Sequence, residues 1–432
     1  MGGAQVLIIG GGVAGLCAAI VCERARVSWR LLESSERIGG RVSSRIQDGC
    51  TIDRGFAVLL SSYSEIARFI DWNALDVRAL RASARVWTGG RFRTIAHPLA
   101  HPAAGVAGLF SGLLSVRDVA ALLPLAVGAA WGVPIPDPSA RRSISTEQLL
   151  FKRGVTRNLV DSFFRPFFGG VFLDPTLGYD AAPFEWRLAM FARGRATLPR
   201  RGMGAIAEQL RLALPEQSRD CLVMRCGAQG IESGPNGAGW LVRDSSGGTH
   251  AAKQVIVACD ALSARKLLPA LPARRWCSTV TLVWKVKSAN CPPPLRRPEL
   301  LLDGTGRGPV NHAVSPTSVW PDHAPLGESL ISGSVIDPAH CELSDADLEA
   351  RCRAQFTAWF GSGVAEWKHM ATERIAQALP RQHPEDLALR PIMHHAEGLW
   401  IAGDHVSDGS IEGAMRSGRQ AAESACAALR GA

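Results

Sequence analysis

An α/β fold is predicted by three features of this 432-residue sequence. First, a short apolar run at 5–9 leads into glycines at 10, 11, 12 and 15. A helical pattern through Leu16, Ala19, Ile20 and Cys22 follows, then a second strand-like run at 27–32. Strand, turn, helix and strand within about thirty residues is the length of one βαβ unit. Second, strand patterns return from about residue 220, at 221–226, 240–242 and 254–258, separated by glycine-rich turns. Third, the chain closes on a strand pattern at 399–402 and a helix from about 411. Of the rest, 76–199 is rich in Ala, Leu, Phe and Arg and reads as mostly helical. Strands are predicted at 278–287 and 328–336, with a helix at 344–360.

A chain of this length is expected to form two or three domains. The net charge is +9, and Arg outnumbers Lys. The arginines are scattered, with no basic run alternating with aromatics, so nucleic acid is not the expected partner. A diphosphate cofactor or an anionic membrane surface suits the excess charge better. Eleven cysteines without a C-x-x-C pair read as reduced thiols of a cytoplasmic protein, not as a disulfide framework or zinc site. Val6-Leu7-Ile8-Ile9 is too short, and lacks the preceding basic region, for a secretory leader. The most apolar stretch, 105–132, is interrupted by Arg117 and Asp118 and broken by Pro124. It falls short of the roughly 20 apolar residues of a membrane span. Two short apolar helices are expected there, buried or resting peripherally on a bilayer.

Gly10-x-Gly12-x-x-Gly15 follows a strand and opens a helix, a Rossmann-type fingerprint. The first glycine permits the turn, the second admits a pyrophosphate, and the third allows close packing of helix on strand. Val13 and Ala14 begin the helix, whose free amides and partial positive charge suit phosphate. Glu33 ends the second strand, where an acid accepts hydrogen bonds from ribose hydroxyls and repels a 2′-phosphate. A second glycine pair, Gly39-Gly40, then Arg41, adds pyrophosphate partners that a simple NAD site does not need. At the other end, Gly403-Asp404 follows a strand, and Asp404 is placed for ribitol or a phosphate-bridging water. Ser410 and Ile411 start the last helix, whose amides would face the pyrimidine edge of a flavin and favour its reduced, anionic form. FAD is therefore the expected cofactor.

With Ile411-Glu412-Gly413-Ala414 and Ser417-Gly418 added, these motifs resemble the superfamily of flavin-containing amine oxidases, protoporphyrinogen oxidases and phytoene desaturases. Arg201-Gly202-Met203-Gly204 and Ala258-Cys259-Asp260-Ala261 are similar to further family segments. The resemblance implies an FAD domain assembled from 1–75, 200–275 and 385–432. It implies a discontinuous α+β substrate domain from 76–199 and 276–384, lying over the flavin. It also places Ala228 where a backbone meets the adenine.

Members of that superfamily abstract a hydride from a C–N or C–C bond. Its amine oxidases typically carry a lysine on a substrate-domain strand. In the matching strand, 278–284, Val280 or Thr281 stands at that point, and Lys285 and Lys287 come later as strand-end charges. Only two tyrosines occur in the chain, too few to expect a paired-tyrosine amine cage. Phe163-Phe164-Arg165-Pro166-Phe167-Phe168, with Phe184 and Trp186, reads either as a core helix pair or as a tunnel for a flat or polyene substrate. His405 is the candidate base or substrate-orienting group, with packing or a pyrophosphate contact as alternatives. His394-His395 lack accompanying ligands, so no metal is expected. Gly304-Thr305-Gly306-Arg307-Gly308 reads as a hairpin turn, not a second nucleotide site. The reading is an FAD-dependent oxidoreductase of a largely apolar small molecule, reoxidised by oxygen, a quinone or a protein. The alternatives are an amine or amino-acid oxidase and a non-redox flavin-dependent isomerase.

Overall fold

A computed structural model describes residues 4–96, 112–129 and 142–431. Six strands form the sheet that carries the glycine turn. Their order is Leu222–Val223, Trp29–Leu32, Val6–Ile9, Gln254–Val257, Leu399–Ile401 and His394–Ala396. The first five run parallel and the last is antiparallel. All four residues of Val6–Ile9 are buried. A central parallel strand has both faces covered, so it reads as an unbroken apolar run instead of alternating. The strands of this sheet come from the start, the middle and the end of the chain.

The helix Val13–Arg24 and the closing helix Ile411–Gly431 pack against this sheet and against each other. A Cβ at Gly418 would strike the carbonyl oxygen of Ala14, so the two helices meet backbone to backbone. The N-terminal and C-terminal segments are therefore one structural unit.

A second, seven-stranded sheet has the order Lys368–Pro380, Trp276–Lys287, Glu328–Val335, Val310–Val314, Leu300–Asp303, Ser83–Trp87 and Phe92–Ala96. Trp284 is fully buried from it against Phe356 of the helix Asp345–Phe360. Residues 304–308 join the antiparallel strands Leu300–Asp303 and Val310–Val314, as the hairpin reading expects.

Two local expectations fail. The block 76–199 opens with strands, not helices: Val77–Ala79, Ser83–Trp87 and Phe92–Ala96. Ser83–Trp87 alternates between half-buried and buried residues, a period-two signal that block-wide composition hides. Among the described residues helices dominate the block from residue 116 onward: Val116–Val127, Thr146–Lys152, Arg165–Phe172 and Ala181–Arg193. The strand expected at 221–226 is only Leu222–Val223, because Arg225 turns left-handed at φ +54° and ends it.

Of the apolar stretch 105–132, residues 112–129 are described and 105–111 and 130–132 lie outside the described residues. Among the described residues, no helix is long and apolar enough to cross a membrane. All eleven cysteines are free thiols, and none is fully exposed.

Candidate active site

The glycine turn shows three different uses of a missing side chain. Gly10 sits at φ +111°, where a Cβ would lie 2.8 Å from the Ala258 carbonyl oxygen. A Cβ at Gly15 would run into the Gly10 carbonyl oxygen, so this glycine seats the helix on the strand. A Cβ at Gly12 would meet no protein atom within 4 Å. Gly12 therefore faces open space, and that space is part of the cavity described below. The second glycine pair closes on the first: Gly39 bridges Gly12, and its N–H donates to the Gly11 carbonyl at 2.8 Å.

Glu33 is fixed by the same loop. One carboxylate oxygen accepts from the Gly11 N–H at 2.6 Å, the other from the Ser35 N–H at 2.8 Å. Each carboxylate oxygen accepts two bonds, so acceptor capacity remains for ribose hydroxyls. Arg41 and Asp404, from opposite ends of the chain, hold each other in a bidentate pair at 2.8 and 2.6 Å. Arg41 also donates to the Ala378 carbonyl at 2.7 Å. Burial works against the Arg41 charge, and Asp404 outweighs it and raises its pKa. Sequence reasoning aims Arg41 at phosphate; the fold commits it first to Asp404.

Ser410 caps the closing helix, accepting from the Gly413 N–H at 2.9 Å. Gly403 is anchored to that helix through Ser417, whose hydroxyl accepts from its N–H at 2.9 Å.

All these elements line one cavity of about 1580 Å³. Gly10, Gly12, Val13, Ala14, Glu33, Gly39, Gly40, Arg41, Ala228, Gly403, Asp404, Ser410 and Ile411 contribute to its wall. Gly15 does not, in keeping with its packing role. A pocket for a single ligand commonly measures about 300–1,000 Å³, so the cavity has room for a dinucleotide and a second molecule.

Much of the rest of the wall is apolar. Phe163, Phe164, Phe167, Phe168 and Phe191 line it together with Val119, Leu122, Leu123 and Leu125. A π-helical turn, Val160–Phe164, precedes the helix Arg165–Phe172. The extra residue of such a turn shifts the side-chain register, and Phe163 stacks on Phe167 while Phe164 stacks on Phe168. The phenylalanine segment is thus both core and cavity wall.

His405 is buried, but its side chain is not part of the cavity lining. Neither ring nitrogen has a hydrogen-bond partner, and burial pushes its pKa down to about 4. The orienting role read from its neighbour Asp404 has no support in this geometry. A histidine that sequence reasoning misses, His312, does line the cavity. Asn311 Nδ2 donates to the Pro166 carbonyl at 2.8 Å, which fixes the orientation of that amide. The same Nδ2 lies 3.0 Å from His312 Nδ1, so Nδ1 accepts and the ring proton sits on Nε2. Burial lowers the His312 pKa to about 4, so it is neutral at ordinary pH. No motif marks it; only pairing of Val310–Val314 with Glu328–Val335 brings it here.

Lys285 pairs with Glu328 at 2.8 Å, as a strand-end charge would, and Lys266 is the only lysine in the wall among the described residues. Two clusters with metal-type side chains, Cys226 with Asp244 and His250, and His383 with Glu385 and Asp386, stand outside the wall.

The sequence profile of the family described as flavin containing amine oxidoreductase matches residues 13–426. Polyamine oxidase 5 of Oryza sativa subsp. japonica is 46% identical over 51 residues, 12% of this chain and 10% of its own length. Protoporphyrinogen oxidase 2, chloroplastic/mitochondrial, of Arabidopsis thaliana is 26% identical over 172 residues, 39% of this chain and 32% of its own. The alignments with these curated relatives thus span a third of their length or less. Cyclohexylamine oxidase from Brevibacterium oxydans IH-35A shares the fold, with a TM-score of 0.73 at 17% identity over 99% of this chain and 100% of its own. The glycine cradle, the fixed Glu33 and the space at Gly12 fit FAD. The chain belongs to the flavin containing amine oxidoreductase family.

Proposed function

We propose that this enzyme removes a hydride from a long, largely apolar molecule without a fixed positive charge, isoprenoid or tetrapyrrole in type. Electrons would pass on to oxygen, a quinone or a protein. The observation that carries this reading is the charge of the cavity wall. Among the described residues its only acids are Glu33, Asp53, Asp260 and Asp404. Each is already engaged, Asp53 by Ser44 and the Met203 N–H, and Asp260 by the amides of Leu262 and Ser263. A cationic amine entering this wall would lose its hydration without gaining a carboxylate, and burying an unpaired charge is costly. Tyrosines do not supply a cage either. Tyr63 is bonded to Arg187, and Tyr179 stacks on Phe172 outside the wall.

FAD bound here supplies a two-electron acceptor. Glu33, the glycine loops and Ala228 would hold its adenosine and diphosphate; Arg41–Asp404 and the start of the closing helix would hold the flavin half. The phenylalanine wall would bind and orient the substrate and exclude water. His312 would offer a neutral Nε2–H donor, well suited to a carbonyl or hydroxyl and poor at abstracting a proton.

Amine oxidation is the second reading, favoured by the short match to a polyamine oxidase. An anaerobic panel separates the two. Loss of flavin absorbance on adding a polyene or a reduced tetrapyrrole, with none on adding benzylamine, putrescine or spermidine, is expected. Rapid bleaching by a simple amine would overturn the proposal.

A further inference from the structure

We infer that the buried guanidinium of Arg187 is a fixed positive charge and hydrogen-bond donor for the pyrimidine edge of the flavin. It stabilises the reduced, anionic cofactor beyond what the start of the closing helix supplies. The inference rests on the FAD reading of the cavity and not on the identity of the substrate. Arg187 comes from the helix Ala181–Arg193 and lines the cavity. Of the basic side chains in the wall, among the described residues, it alone is buried, at 4% exposed. It stands beside the start of the closing helix. Its Nη2 lies 3.5 Å from the Gly409 carbonyl oxygen, and Gly409, Ser410 and Ile411 share the wall with it.

The guanidinium is short of acceptors. It carries five N–H donors. Nη1 donates to the Tyr63 hydroxyl, Nη2 reaches Gly409 at the limit of a hydrogen bond, and the buried Nε has no acceptor. The two nearby acids do not make up the deficit. Asp408 lies 3.9 Å away, but its carboxylate accepts from the Ser410 hydroxyl and from Arg416 at 3.0 Å. Glu412 accepts from Ser64 and from the amides of Glu65 and Ile66. The rings of Trp186 and Phe172 face the cation at 4.8 and 5.6 Å but replace no acceptor.

Buried polar groups are as a rule hydrogen-bonded, and a buried charge left short of acceptors is costly. The cavity is the side from which a further acceptor can reach Arg187. Two-electron reduction of a flavin leaves negative charge over N1 and the adjacent carbonyl oxygen. A planar guanidinium meets a flat anionic edge with parallel hydrogen bonds. In a site closed to water its charge also acts more strongly than in solvent. Arg187 therefore favours the reduced cofactor more than the oxidised one.

The test is the two-electron midpoint potential of the FAD-loaded chain, measured by reductive titration against an indicator dye. The native chain is compared with Arg187→Met, Arg187→Lys and Tyr63→Phe. Arg187→Met removes the charge at similar volume. Its equilibrium constant for reduction should fall at least about tenfold, roughly 30 mV at 29.6 mV per tenfold. Arg187→Lys and Tyr63→Phe keep the charge and should shift that constant by about threefold or less. An unchanged potential in Arg187→Met, or an equal fall in Tyr63→Phe, overturns the inference. The native chain tests it without any variant. Reduced at mildly acidic pH, it should show the absorbance of the anionic reduced flavin, and the neutral form would overturn the inference. A chain that takes up no FAD ends the FAD reading as well. An FAD-loaded chain whose potential ignores Arg187 ends this inference alone.

Discussion

Replacing Gly12 by valine separates cofactor loss from fold loss. Gly12 has φ −71° and ψ 176°, extended backbone that valine adopts readily. No protein atom lies within 4 Å of its Cβ position, so the FAD-free protein should change stability by about 0.5 kcal/mol or less. The valine carbons occupy the space reserved for pyrophosphate, and FAD affinity should fall at least about 100-fold, or about 2.8 kcal/mol at roughly 1.4 per tenfold. Gly15→Ala is the contrast. Its Cβ meets the Gly10 carbonyl oxygen, so overpacking should cost about 1–3 kcal/mol in the FAD-free protein. Titration of apoprotein with FAD, followed by quenching of flavin fluorescence, measures the first effect. Denaturation of both apoproteins measures the second; apo forms must be compared because bound FAD adds stability by mass action. Native-like FAD affinity in Gly12→Val would refute the placement of the diphosphate. So would an apoprotein as destabilised as that of Gly15→Ala.

Two of the buried histidines, His312 and His405, tie stability to pH. His312 and His405 have folded pKa values of about 4, below the ordinary 6.5. The unfolded chain therefore binds the extra protons first as pH falls. Their stabilisation is complete above pH 6.5 and is lost between 6.5 and about 4, up to roughly 3 kcal/mol per group. Denaturation across that range should show a slope that His405→Gln makes shallower. Asp404→Asn should lower stability by about 2 kcal/mol, at the low end for a broken pair because Arg41 remains partly exposed. It should also lower the FAD content of the purified protein. Phe167→Ala should raise KM for an apolar substrate about tenfold or more, with FAD content unchanged and kcat reduced less than KM is raised. Steady-state kinetics and the flavin spectrum check both.

The cofactor half of the site is legible in sequence because its signals are local. Gly10 and Gly15 must be glycine for backbone reasons within a single turn, Gly12 keeps the cavity beside them open, and Glu33 lies one strand away. The closing segment carries its own strand-to-helix signature, and Gly418 against Ala14 is the physical join that makes two distant motifs one site. The substrate half is not legible in the same way. The phenylalanine segment has the same pattern whether it faces a core or a cavity, and only the fold, with its π-helical turn, puts it on both. His312 enters the wall through pairing of strands remote in sequence. His405 goes the other way: adjacency to Asp404 suggests a role, yet it is buried and does not line the cavity. Averaging composition over 76–199 erased the alternation in Ser83–Trp87, whose parallel neighbour Leu300–Asp303 is far along the chain.

The most direct test is the amount of FAD released, per mole of chain, from purified protein after saturation and removal of free flavin. If the first and last segments close on a single nucleotide, the ratio is one, and the protein is yellow. A chain that remains colourless in excess FAD, or keeps its full complement when the closing helix start is disrupted by Gly413→Leu in a still-folded protein, would contradict it.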